Sequence, residues 1–478
     1  MKEWNYTLMC DFYELSMANG YFNSPIKDQV CYFDVFYRTI PDGGGFSIAA
    51  GLQQVIEYVN NLHFSEDEIE FLRSKNTFSE GFLEYLKNFK FTGDIYAVKE
   101  GTPIFPNEPI MVIKSNAIEA QFMETYILAV INHSSLIATK ANRVVRASEG
   151  RAISEFGARR AHGAEAATLG ARAAFIGGVR STSNVLTEYL YGIPSSGTMA
   201  HAWVQMFDDE YLAFKTYCEI YPDNAVLLID TYNIMKSGMP NAIKAFDEVL
   251  KPLGKRPKGV RIDSGDIAYQ SKKIRKMLDD AGYEDCKIIA SNSLDENILR
   301  DLIFQDAKID SFGVGERLIT SKSSPVFDGV YKLTAVEKDG VVVPKIKISE
   351  NVGKITTPHF KKVYRLVAND TNKAIADYIT VFDEEVPTEE LELFDPEATW
   401  KRKLIKDYRI EELLHPIFLN GKQVYETPPM QEIQDYCKGE VKKLWDEVKR
   451  FENPHRYYVD LSQKLWDVKH SLLNKKKF

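Results

Sequence analysis

The sequence predicts an α/β protein with an irregular (β/α) barrel in its middle and a smaller α/β domain assembled from the two ends. Three observations carry this. Seven short apolar runs recur between residues 153 and 316, each ending in polar or Gly-rich residues and most followed by a helical pattern. Their spacing, roughly 20–35 residues, is that of a βα unit. The rhythm is absent on both sides of this stretch, and 478 residues are too many for one ordinary domain. The sequence is 44% hydrophobic and 27% charged, which suits a globular chain with a large core.

Taken in order, Asp11 to Gly20 reads as a helix with a Gly stop. Val30 to Pro41 alternates and is rich in aromatics, the pattern of a strand. Asp42-Gly43-Gly44-Gly45 is a loop, and Ala49–Leu62 and Ser65–Lys90 read as helices. Residues 91–114 have short apolar runs broken by Gly and Pro, which predicts small antiparallel strands. Glu119 to Glu149 is a long helical stretch with a break expected near Asn132-His133-Ser134. The seven runs follow: 153–159, 174–184, 193–201, 225–233, 259–266, 287–293 and 309–316. An open doubly wound sheet is the alternative, but no G-x-G-x-x-G follows a first strand. Beyond about residue 325 a β-hairpin is expected around Asp339-Gly340, then a strand pair in VYRLVANDTNKAIADYITVF, then helix over 428–478. The expected domains are 1–140, 141–335 and 336–478, the last a β-rich and then helical segment.

The net charge of −8, from 60 Lys and Arg against 68 Asp and Glu, argues against a nucleic-acid partner. It leaves a local anion site open. The basic run Lys475-Lys476-Lys477 reads as a solvated tail. Cys10, Cys31, Cys218, Cys286 and Cys437 are scattered, with no metal or redox spacing, so reduced thiols are expected. The N-terminus lacks the apolar core of a signal peptide and no run is long enough to span a membrane, so a cytoplasmic protein is expected.

In a parallel barrel the functional side chains come from the C-terminal strand ends. Those ends supply Arg159 and Arg160, Arg180 to Ser183, His201, Asp230, Arg261 with Asp263, Ser291 to Ser293, and Gly313 to Glu316. Several have plain structural readings. Asp230 could cap the next helix, and Ser293 with Glu296 fits a capping box, which leaves Asn292 freer to act. Arg261 and Asp263 alternate on one strand face and could be an ion pair, but two inward charges at a barrel mouth are better explained by a polar ligand. Gly313-Val314-Gly315-Glu316, a strand end before a helix start, can cradle phosphate. His201 has no second ligand at metal spacing, which leaves acid–base or nucleophilic work as its functional reading. Arginines suit phosphates and acids suit ribose hydroxyls, a combination that fits a phosphorylated sugar. Seven arginines between Arg143 and Arg180 suggest a locally basic mouth.

DFYELSMANGYF, SEFGARRAH, GGVRSTSNV, GTMAHAW, LLIDTYN, GVRIDSGD and SFGVGERL, in that order over roughly residues 6–320, resemble the nicotinate phosphoribosyltransferase family. The resemblance implies a type II phosphoribosyltransferase fold, forming nicotinate mononucleotide and pyrophosphate from nicotinate and phosphoribosyl pyrophosphate in NAD salvage. It further implies coupled ATP hydrolysis through a transient phosphohistidine at His201, a requirement for Mg²⁺, and a homodimer with shared active sites. On this reading Phe156 stacks on the pyridine ring, and Tyr13 of the other subunit covers its second face. Arg159 and Arg261 meet phosphate and ribosyl groups. Asp230 and Asp263 hold the ribose hydroxyls and, through water, the metal; Gly313 and Gly315 cradle the 5′-phosphate. Asn233 stands where relatives are expected to carry Asp. The loop from Gly177 to Asn184, with Arg180, Ser181 and Thr182 and no acid, favours nicotinate over nicotinamide if it lines the base pocket. Nicotinamide phosphoribosyltransferase is the nearest alternative, with quinolinate phosphoribosyltransferase, other phosphosugar barrels and an inactive scaffold behind it.

Overall fold

A computed structural model describes residues 5–475. The chain divides into two compact units, residues 1–136 with 326–478, and residues 137–325. The boundaries differ from the expected 140/141 and 335/336. The later one shifts because strand Val330–Lys338 pairs antiparallel with Val30–Phe36, which ties it to the first unit. Lys476 and Lys477 of the basic tail lie outside the described residues.

The first unit is built around a seven-stranded antiparallel sheet whose strands come from both ends of the chain. Val30–Phe36 sits between Val330–Lys338 and Met111–Asn116, and Asp94–Ala97 pairs with His415–Leu419. The expected hairpin at Asp339-Gly340 joins Val330–Lys338 to Val341–Pro344, with both turn residues at positive φ. A four-stranded sheet adds Lys361–Ala368 and Ala374–Val381, the expected strand pair. Several expectations need correction. Helix Phe12–Phe22 runs past Gly20, and 65–90 is two helices, Glu66–Ser74 and Glu80–Lys87, each N-capped by a serine. Strand Val459–Leu461 interrupts the C-terminal helical stretch. Helix Glu124–Ala147 passes unbroken through Asn132-His133-Ser134; the break comes earlier, between it and Ala117–Phe122.

The second unit is the barrel. Its six-stranded sheet runs Ser181–Thr182, Ala152–Glu155, Ser311–Val314, Lys287–Ala290, Gly259–Ile262, Val226–Leu228, all parallel. The last strand in sequence thus pairs with the first, which is the ordering of a barrel and not of an open sheet. A parallel bridge from Thr182 to Ser195 adds the seventh position. Among the described residues no ladder joins that position to Val226–Leu228, and this seam is the irregularity.

The run 174–184 was expected as a strand, but its apolar half ends the helix Ala164–Ile176 and only Ser181–Thr182 pairs. Alanine is the strongest helix former, so Ala164 to Ala174 overrides the strand pattern. The loops after strands carry the caps of the next helices: Asn184, Asn233, Asp266 and Asp295 each accept a backbone N–H two or three residues on. Chain reversal and site loops therefore share the same few residues at the strand ends.

Candidate active site

A cavity of about 710 Å³ opens at the C-terminal strand ends of the barrel. It is lined by Phe156, Arg159, His201, Arg261, Asp263, Asn292, Gly313 and Gly315, all of them among the predicted site residues. Arg160, Ser183, Thr198 and Ser291 line it as well.

Asp230 lies behind this lining. Its Oδ2 accepts hydrogen bonds from the Asp263 backbone N–H at 2.8 Å and the Ser264 hydroxyl at 2.6 Å. Its Oδ1 is buried without a hydrogen-bond partner and stands 4.0 Å from His201 Nε2. Asp230 does not cap the following helical turn, because Asn233 does so through Lys236 N–H at 2.8 Å. Asp263 lines the cavity and accepts a hydrogen bond from Ser291 at 2.6 Å.

Arg261 donates to Thr198 at 2.6 Å, while its Nε is buried without a partner. Burial holds the guanidinium below its ordinary pKa, against the pull of Asp263 and Asp230, and nearby Arg159 adds to the lowering. A cation held in this way gains from an arriving anion. His201 begins the short helix His201–Gln205, and its Nδ1 lies 3.0 Å from the Thr231 hydroxyl. Its ring is thus oriented by Thr231 and lies near Asp230, two consecutive residues just past strand Val226–Leu228.

Phe156 sits in a tight frame. Its N–H donates to the Val314 carbonyl at 2.8 Å. A Cβ at Gly313 would come 2.3 Å from Phe156 Cδ2, and one at Gly315 would come 3.2 Å from the Phe156 carbonyl oxygen. Both glycines therefore admit Phe156 to the cavity wall, a role the sequence reading missed. The helix after them, Glu316–Ile319, is a single turn, so the expected support from a helix dipole is weak. Glu155, also overlooked, is wholly buried and accepts from Gly157 N–H and from the Thr182 hydroxyl at 2.8 Å. Burial raises its pKa. It pins the turn that carries Phe156 and Arg159.

Five predicted residues fall outside the cavity lining: Asp230, described above, Tyr13, and three from the loop after the helix Ala164–Ile176. Arg180 is exposed; Ser181 is hydrogen-bonded to Ser154 and Ser196, each at 2.8 Å; Thr182 is bonded to Glu155. From the 177–184 loop only Ser183 reaches the cavity. Tyr13 belongs to the first unit, where its side chain is 45% exposed. The capping box is also corrected. Asp295 caps helix Glu296–Phe304, and Glu296 is buried between Lys140 and Arg143 at 2.8 and 3.0 Å. The basic mouth is narrower than the arginine count suggested. Arg143 and Arg172 are buried, and Arg151 holds the Ile309 and Ser148 carbonyls, so only Arg159 and Arg160 of that run reach the cavity. Among the described residues, no three His, Cys, Asp or Glu side chains gather to hold a metal, and no helix is long and apolar enough to cross a membrane.

A parallel barrel with arginines, two acids and an oriented histidine at one mouth suits a phosphorylated sugar, the kind of substrate a phosphoribosyltransferase takes. The comparisons narrow the class. The N-terminal-domain model of nicotinate phosphoribosyltransferase matches residues 8–132, the family model 151–372 and the C-terminal-domain model 360–469. The chain is 43% identical over 471 residues to a nicotinate phosphoribosyltransferase of Bacillus subtilis, covering 98% of this chain and 95% of that one. A Mycobacterium tuberculosis relative of the same name is 37% identical over 96% and 92%. The crystal structure of human nicotinic acid phosphoribosyltransferase superposes with a TM-score of 0.84 at 26% identity, covering 97% of this chain and 99% of that one. The chain belongs to the nicotinate phosphoribosyltransferase family.

Proposed function

We propose that the chain joins nicotinate to the anomeric carbon of phosphoribosyl pyrophosphate, releasing pyrophosphate and nicotinate mononucleotide. The observation that carries this reading is the half-satisfied charge at the cavity: a buried Asp230 oxygen and the buried Arg261 Nε both lack partners beside cavity-lining Asp263 and Arg159. Such groups are completed by a polyhydroxylated, phosphorylated ligand.

The bond from the anomeric carbon to pyrophosphate breaks with its electron pair leaving on oxygen, and the pyridine nitrogen supplies the pair for the new C–N bond. No base is needed. Catalysis is positioning together with stabilisation of charge. Phe156 offers a face for the pyridine ring. Arg159 and Arg261 hold phosphate oxygens, and Asp263 accepts from ribose hydroxyls. The donor set fits Mg²⁺: two carboxylates, Asp230 and Asp263, suit an ion that keeps several waters and is shared with substrate phosphates. When bound, the ion supplies neutralisation of the leaving pyrophosphate.

The 177–184 loop contributes only Ser183 to the cavity, so the preference for nicotinate has another source. It rests on Arg159, Arg160 and Arg261 around the cavity and on the names the relatives carry. Nicotinamide remains the second base to test, by direct competition in one assay.

ATP hydrolysis is coupled through His201. An imidazole nitrogen attacks the γ-phosphorus and ADP leaves; the phosphorylated ring stays oriented by Thr231 until water takes the phosphoryl group as phosphate and the histidine is restored. With ATP labelled at the γ-phosphate, acid-labile label is expected on the wild-type chain and none on His201→Ala. Equal labelling of both would overturn the coupling. The exposed Phe12 and Tyr13, at 54% and 45%, suit a site completed by a second copy. Tyr13→Ala and His201→Ala chains, mixed and reassembled, are then expected to recover part of the activity. No recovery after verified exchange would remove the shared site.

A further inference from the structure

The first unit contains a second cavity, of about 340 Å³, between the four-stranded sheet and the C-terminal helix Gln463–Lys475. Its volume falls in the range of small-ligand pockets, which combine apolar walls with a few placed polar groups. One wall is Trp466 stacked on His470, with ring centroids 3.6 Å apart. This wall is fixed in advance. The indole N–H donates to the Pro396 carbonyl at 3.2 Å, and His470 Nδ1 donates to the Trp466 carbonyl at 2.9 Å. Phe36, Leu461 and Ile379 are buried apolar residues of the same lining.

The charges around this cavity do not cancel. Asp34 is neutralised by Lys361 at 2.8 Å, both of them buried. Glu397 faces Arg456 at 3.9 Å, and both are largely exposed. Lys469 remains. It lines the cavity, and its one hydrogen bond among the described residues is a long one, 3.3 Å, to the Thr357 hydroxyl. Burial and the nearby Lys361 lower its pKa, with Glu397 opposing. A half-buried ammonium with a single weak acceptor beside a flat aromatic wall is an incomplete arrangement. An anion completes it, and one cation with one hydroxyl matches a single negative charge better than a phosphate dianion.

We propose that this cavity binds an aromatic monocarboxylate, its carboxylate on Lys469 and Thr357 and its ring against Trp466. The site lies wholly in the first unit and is independent of the catalytic reading.

The test is calorimetric titration of the full chain with 2-naphthoate. One saturable site per chain is expected. Lys469→Met and Lys469→Gln are each expected to weaken it at least tenfold, and Leu473→Trp to abolish it by filling the cavity. Arg159→Ala, in the barrel cavity, is expected to leave it unchanged. The neutral 2-naphthamide is expected to bind at least tenfold more weakly than the acid. Thermal melting of each variant confirms the fold, and Lys469→Arg is expected to restore binding. Absence of saturation at 1 mM, equal affinity for acid and amide, or binding lost in Arg159→Ala but kept in Lys469→Met would each overturn the proposal.

Discussion

In the first unit Arg365 is wholly buried and grips both oxygens of Asp377, at 2.9 and 2.7 Å. It also donates to the Pro103 carbonyl, and Asp377 accepts a further bond from Tyr457 at 3.0 Å. In the second unit Arg261 meets one hydroxyl, and Asp230, almost as buried as Asp377, keeps an oxygen with no partner. Arg365 Nη1 alone of that guanidinium lacks a hydrogen bond, and it faces the Glu440 carboxylate at 3.6 Å. The same residue types are thus ion-paired within their own chain in one place and left with fewer partners beside a cavity in the other. Desolvating a charge is costly, so the second arrangement persists where a ligand completes it. Charge paired with opposite charge within the chain marks structure, and charge that lacks such a pair beside a cavity marks function.

The largest effect that can test this contrast is Arg365→Met. It strands Asp377 in the core and is expected to cost about 3–5 kcal/mol in urea unfolding. A loss below about 1 kcal/mol would make Arg365 as dispensable to the fold as the site charges.

Arg261→Met should do the opposite. We expect kcat/KM to fall about 10²- to 10³-fold, as for loss of one charge-stabilising donor, with unfolding free energy within about 1 kcal/mol of wild type. Steady-state kinetics and urea unfolding on the same preparation separate the two.

Gly313→Ala sharpens the account of Phe156. The added methyl has no room beside the ring, so the ring must move. A loss of about 1–3 kcal/mol is expected from overpacking, together with a raised KM for nicotinate. An unchanged KM would detach Phe156 from the base.

A further effect is a pH dependence. Burial pushes the Glu14 carboxyl up to about 8, above its unfolded value, despite bonds from Thr125. The folded state therefore holds a proton that the unfolded state releases. Stability from this group is full below the unfolded pKa of about 4.3 and is lost as pH rises toward 8. Glu14→Gln should become more stable relative to wild type between pH 5 and 8, measured by urea unfolding at each pH.

Much of this was legible because it is local. The seven strand ends follow from apolar runs and their spacing, and Arg261 with Asp263 from simple alternation. Other features were hidden by competition between local signals. The run 174–184 reads as a strand, but its first residues close the alanine-rich helix Ala164–Ile176, and a polar Asn132-His133-Ser134 need not break a helix held by packing. Still others are long-range. Asp34 with Lys361, and Glu296 with Lys140, join residues far apart in sequence. Gly313 reads as a phosphate turn, and its second role, making room for the Phe156 ring, shows only in three dimensions. Glu155 gave one signal that could have been used: an acid in an otherwise apolar strand end needs a buried partner.

The strand-end cavity is where a phosphoribosyl group would pass to nicotinate. The most direct measurement is chromatographic detection of nicotinate mononucleotide after incubation with nicotinate and phosphoribosyl pyrophosphate, with and without ATP. The account predicts product in wild type, stimulated by ATP, and at least a 10²-fold lower rate in Arg261→Met. No product from folded wild-type protein under either condition, or undiminished turnover in Arg261→Met, would contradict it.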